Sequence, residues 1–163
     1  MRVVGIVFLS LTPLLFGLDY SKLLKKRLEF FSTFKEFILF VKEQIRFSGR
    51  ERDEIFTLAL ADPRFDVPLF ENIKKSLNGK ETLAKTIEKY NDIRLNNKEI
   101  QQISAFISGL GSNDTEGQLN HCDYYFLVFG QLAEKSNEIY LSKSRLSVGL
   151  ALSLSSVMFI IMI

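Results

Sequence analysis

The residues able to do chemistry in this 163-residue chain are few, and their spacing does not assemble them. His121 is the only histidine and Cys122 the only cysteine. One His-Cys dipeptide falls short of the four ligands of a structural zinc site. One thiol forms no internal disulfide. Cys122 therefore reads as a small helical residue, and His121 as a packing or surface histidine. Glu51, Asp53 and Glu54 cluster, but Arg50 and Arg52 alternate with them. That pattern reads as a solvated charged face, with a docking patch as the other reading, and it sets no general acid against a base. The chain lacks the P-loop glycine–lysine signature, a G-x-S-x-G elbow and an H-E-x-x-H pair. The expectation is a protein with no catalytic, metal or cofactor-binding residues and no small-molecule substrate.

The net charge of +2 lacks the basic excess of a nucleic-acid binder, so no nucleic-acid partner is expected. At 47% hydrophobic and 25% charged residues the composition is that of a folded protein rather than a disordered one. The apolar residues are unevenly placed. They gather at the two ends, and the stretch between reads as an ordinary helical domain.

Helical spacing runs through that middle, with no persistent strand alternation. Phe30, Phe34, Phe37, Ile38, Val41 and Ile45 step by three and four, and Phe31, Phe40 and Phe47 broaden the stripe. This stripe is expected to be core, and Gly49 to break it. A second helix carries Ile55, Leu58 and Ala59, with Phe56, and stops at Asp62 before Pro63. Asp66 is expected to cap a third helix with Pro68 in its first turn and Leu69, Phe70, Ile73 and Leu77 on its face. Asn78 and Gly79 read as its end. A fourth helix uses Leu83, Ile87 and Tyr90, followed by Ile93 and Arg94, with Glu81–Lys85 as a favourable pair. Asn97 can cap a fifth, whose face is Ile100, Ile103, Phe106, Ile107 and Leu110, ending at Gly109 and Gly111. Asn113 with Glu116 has the spacing of a capping box, and Asp114 adds favourable charge at the helix start. No firm stop follows. Leu119, Cys122, Tyr125, Phe126, Phe129, Leu132 and Ala133 share a face. A continuous final helix of roughly fifty residues would be about 75 Å long.

The ends read as membrane anchors. Residues 3–18 and 146–163 contain no charged residue. As helices they are about 24 and 27 Å long, against a hydrocarbon core of about 30 Å. Pro13 is tolerated in a membrane helix. A cleaved leader is the competing reading of the first run, opposed by its minimal basic start and the basic cluster directly after it. Gly149 and Ala151 in the second run allow close approach of a partner helix. Ser147, Ser153, Ser155 and Ser156 can bond to their own or a neighbouring helix. Lys22, Lys25, Lys26 and Arg27 follow the first run, and Lys143 and Arg145 precede the second. By the positive-inside rule both flanks put the middle domain in the cytoplasm and both termini outside. The expected architecture is all-α: an anchor at 1–20, a cytoplasmic bundle of about six helices at 21–145, and an anchor at 146–163.

The stretch Gly109-Leu110-Gly111-Ser112-Asn113-Asp114-Thr115-Glu116-Gly117-Gln118, then Leu119-Asn120-His121, resembles the stage III sporulation protein AB family of spore-forming bacteria. The run from Lys143 through Gly149 to the apolar tail, the basic-flanked first anchor and the length are also similar. That family is similar to the cytoplasmic helical domain of the inner-membrane platform protein of type II secretion and type IV pilus machines. The resemblance implies a non-enzymatic subunit of the channel complex between mother cell and forespore, in the mother-cell membrane. It also implies a cytoplasmic secretion-type ATPase and other channel subunits as partners, beside the lipid membrane itself. Asn113, Asp114, Glu116, Gln118 and His121 are candidate partner-facing or capping residues. A small membrane-anchored adaptor or regulator unrelated to sporulation is the alternative.

Overall fold

The computed structural model describes residues 2–48, 51–77, 82–89, 92–112 and 114–162, except the side chains of 2–11, 77, 159, 161 and 162. Among the described residues the chain is all helical. In order come α1 (Arg2–Ser48), α2 (Arg52–Ala61), a 3-10 turn (Pro63–Phe65), α3 (Pro68–Leu77), α4 (Leu83–Lys89), α5 (Asn97–Gly109) and α6 (Thr115–Met162). The two segments expected to be separate anchors are the outer parts of α1 and α6. The final helix is unbroken for 48 residues, as its lack of a stop signal leads one to expect. The continuity of α1 across Pro13 for 47 residues was not legible in the same way.

The chain divides into two compact units, residues 30–132 and residues 1–29 with 133–163. α1 and α6 each contribute to both.

The core of the first unit is built from phenylalanine. Phe31, Phe34, Phe37, Phe56, Phe65, Phe70, Phe106 and Phe129 are all fully buried. Phe34 sits at the centre, with ring centroids 4.4 Å from Phe129 and 5.8 Å from each of Phe37, Phe70 and Phe106. Phe37 extends the cluster to Phe56 at 5.3 Å and Phe65 at 5.8 Å. Aromatic pairs at these separations add about 0.5–1.5 kcal/mol each beyond area burial. The rings come from α1, α2, the 3-10 turn, α3, α5 and α6, so one cluster ties these elements together.

On α1, Phe30, Phe31, Phe34, Phe37, Ile38, Val41 and Ile45 are core, while Phe40 is half-buried beside Phe65. Phe47 is not core: it is 79% exposed, because it lies two residues, about 200° of helix, past Ile45 and so faces away from the stripe. On α2, Phe56 is buried and Leu58 is partly exposed, which reverses their expected weight. Asp62 closes α2 as expected, and its carboxylate accepts from the backbone N–H of Arg64.

Three helix starts and ends differ from expectation. α3 begins at Pro68, and Asp66 ends the 3-10 turn instead of capping α3. α5 is capped by Asn96 rather than Asn97. Asn96 accepts from the Glu99 N–H at 3.0 Å, and the Glu99 carboxylate accepts from the Asn96 N–H at 2.8 Å. This is a full capping box, one residue upstream of the expected cap. Arg94 lies in the α4–α5 turn with φ 55°, in the left-handed region, rather than at a helix end. Gly49, Asn78, Gly79, Glu81 and Tyr90 lie outside the described residues.

Candidate functional site

The chemistry-bearing side chains are used for packing and helix ends. Glu51 flanks α2, and Asp53 and Glu54 occupy its first turn, where they are exposed and complement the helix dipole. Arg52 pairs with Asp53 at 3.6 Å. Arg50 lies outside the described residues. Cys122 is completely buried, and burial pushes its thiol up to about 11, so the nucleophilic thiolate is suppressed at neutral pH. Among the described residues no group of three His, Cys, Asp or Glu side chains is placed to hold a metal ion.

The Gly109–His121 block forms the corner between α5 and α6. An α-helix leaves its last four carbonyls without an internal donor. In α5 these belong to residues 106–109. The His121 Nε2–H donates to the Phe106 carbonyl at 3.0 Å, and the imidazole stacks on the Phe106 ring at 5.7 Å and 7°. The Leu110 N–H serves the Ile107 carbonyl, and the Ser112 hydroxyl donates to the Gly109 carbonyl at 2.8 Å. Gly111 turns the chain at φ 80°, a conformation that suits glycine. The Gly111 N–H donates to Gln118 Oε1 at 3.2 Å, which ties the turn to the first turns of α6.

Glycine at 109 is required by His121. A Cβ there would lie 2.4 Å from His121 Cε1 and 2.6 Å from Nε2. Asp114 caps α6: its carboxylate accepts from the Gly117 N–H at 3.1 Å. Position N3 is therefore Gly117, not Glu116, and the expected capping box does not form through Glu116, which is exposed. Asn113 lies outside the described residues. Of the five candidates, Asp114, Gln118 and His121 are thus brought together at one corner, each bonded to backbone.

The second unit is an antiparallel pairing of the outer parts of α1 and α6. Ser21 and Ser144 share a hydrogen bond of 2.5 Å, and the Ser147 hydroxyl donates to the Gly17 carbonyl at 3.2 Å. A Cβ on Gly17 would lie 2.6 Å from the Ala151 methyl, so glycine sets the closeness of the two helices. Ala151 is the contact foreseen in the sequence. Gly149 is not: it is exposed, with nothing within 4 Å of its would-be Cβ. Ser153 and Ser156 bond back to the Leu150 and Leu152 carbonyls, each at 2.9 Å. The Ser155 hydroxyl is buried with no partner among the described residues.

Outside this seam the large apolar side chains face outward. Leu15, Phe16, Leu146, Leu150, Leu152, Leu154, Val157 and Ile160 are each more than half exposed. Sequence reasoning missed Gly17 and Ser21, because a lone glycine or serine in an apolar run is visible as a contact only once its partner helix is known. Among the described residues no helix is long and apolar enough to cross a membrane, so the two expected spans are not found there.

No curated protein and no solved structure matches the chain. The family model for stage III sporulation protein AB (spore_III_AB) matches residues 2–163, and that family is a sporulation family rather than one of enzymes. The match takes in both units and the Gly109–His121 corner, and the chain belongs to the stage III sporulation protein AB family.

Proposed function

We propose that this protein is a non-enzymatic membrane platform subunit of the sporulation channel complex, seated in the mother-cell membrane by its α1–α6 hairpin. Its helical unit would present a docking surface to a cytoplasmic secretion-type ATPase. The observation that carries the membrane part is the inverted hairpin. Small residues, Gly17, Ser21, Ser144, Ser147 and Ala151, line the seam, and large apolar residues face out. Water penalises that arrangement, whereas lipid favours it: helices associate there through close backbone approach and short hydrogen bonds.

The uncharged runs 3–18 and 146–163 include residues 3–11, 159 and 161–163, whose side chains lie outside the description. At full length these runs approach the bilayer core in reach. The basic flanks favour a cytoplasmic helical unit with both termini outside. The docking part is supported by family membership. Family membership also removes the motive for an adaptor unrelated to sporulation.

Two experiments test this. Reporter fusions at residue 80 and at the C-terminus should read cytoplasmic and external respectively, and a translocated residue 80 overturns the topology. The full chain, solubilised from sporulating cells, should co-purify with the ATPase. Failure with both proteins folded removes the docking role.

A further inference from the structure

The pairing of α1 with α6 assembles a basic collar that neither sequence segment contains by itself. The Ser21–Ser144 bond sets the level of the collar on the hairpin. Within about 10 Å of it along the axis, at 1.5 Å per residue, lie Lys22, Lys25, Lys26, Arg27, Lys143 and Arg145. The four lysines and Arg145 are exposed, and Arg27 is half-buried. Two carboxylates, Asp19 and Glu138, stand at the same level, and a third, Glu29, lies about 12 Å from Ser21. Asp19 pairs with Lys22 at 3.9 Å, Glu29 pairs with Lys25 at 3.4 Å, and Glu138 is exposed. Six cations therefore face three anions, leaving a local excess of three positive charges. The collar borders the outward apolar surface directly. On the far side of Ser21 and Ser144, residues 3–18 and 146–163 carry no charge. Tyr20 is 40% exposed at the boundary, where an amphipathic ring suits a headgroup layer.

We propose that this collar binds the headgroups of anionic phospholipids, selecting them over zwitterionic ones. The proposal rests on the hairpin being seated in lipid. Positive charge ringing the end of an apolar surface meets a phosphate layer, and exposed lysines reach it with flexible stems. Each juxtamembrane Lys or Arg contributes about 1 kcal/mol toward an anionic surface. Neutralising three lysines should then reduce the preference roughly a hundredfold.

The full chain is incubated with vesicles of pure phosphatidylcholine and with vesicles containing phosphatidylglycerol, and co-flotation and lipid-dependent thermal shift are measured. The wild-type chain should float with both kinds and gain thermal stability only with phosphatidylglycerol. That gain should shrink in high salt. A variant with Lys22→Gln, Lys25→Gln and Lys26→Gln should still float with both but lose the preference. A control variant with Lys85→Gln, Lys89→Gln and Lys98→Gln should keep it, with unchanged helicity in both. A wild-type chain that floats with both and is stabilised equally by both overturns the lipid selection alone. A folded chain that floats with neither overturns the seating of the hairpin itself.

Discussion

Replacing Gly109 by alanine tests the α5–α6 corner most directly. The added methyl would lie 2.4 Å from His121 Cε1 and 2.6 Å from Nε2, well inside van der Waals contact, so the imidazole must swing away. Doing so forfeits its hydrogen bond to the Phe106 carbonyl and its stack on the Phe106 ring. A net hydrogen bond is worth about 0.5–1.5 kcal/mol, and the ring contact about as much. The lost contacts are worth about 2 kcal/mol; less the helix-propensity gain of alanine, the net loss is about 1 kcal/mol, which lowers Tm by about 2–4 °C in a chain of this size. Alanine is otherwise the better helix former by about 1 kcal/mol, and Gly109 is a helical residue outside the left-handed region. With His121→Ala already in place, Gly109→Ala should cost nothing or stabilise slightly. The four chains of this double-mutant cycle, melted in mild detergent and followed by circular dichroism, give the coupling. A Gly109→Ala cost that is the same with and without His121 would refute the argument, because the clash would then lie elsewhere.

Phe34→Ala should cost about 3–5 kcal/mol, since its fully buried ring touches four elements, whereas Phe47→Ala should fall within about 0.5 kcal/mol of wild type; urea midpoints compare the two. Asp114→Ala should lower stability by about 1 kcal/mol through the lost cap, and Glu116→Ala by distinctly less, read from the same melts. Cys122 has its thiol raised to about 11 by burial, so the folded chain holds that proton while the unfolded chain sheds it above about pH 9. Its contribution is complete below pH 9 and is lost as pH rises toward 11, so urea midpoints should fall over that window, and less steeply in Cys122→Ala. Cysteines placed at Ser21 and Ser144 should form an intramolecular cross-link on mild oxidation, seen as a mobility shift on a non-reducing gel; none would form if α1 and α6 were unpaired at that level.

The helix class, most helix limits and nearly all of the core were written in local patterns. An amphipathic stripe such as Phe30 to Ile45 declares its buried face because burial follows the period of the helix itself. Phe47 falls about 200° of helix beyond Ile45, off that period, and is exposed although Ile45 in the same turn is buried. The cap at Asn96 rather than Asn97, and at Asp114 rather than Asn113 with Glu116, turned on a shift of one residue. Both side chains of such pairs suit a cap, and only the geometry of the incoming turn selects one.

The Gly109–His121 block was legible as a unit with a family resemblance, and family membership bears that out. Its work was not legible. That Gly109 lacks a side chain so that His121 can reach a helix-end carbonyl is a relation between two helices. The same holds at the chain's ends. Composition alone marked residues 3–18 and 146–163 as apolar and their flanks as basic. Only the antiparallel pairing brought Gly17 against Ala151, and two distant basic clusters to one level. Periodicity and composition act along the chain and can be read from it; close approach and charge convergence act across it and depend on which faces meet.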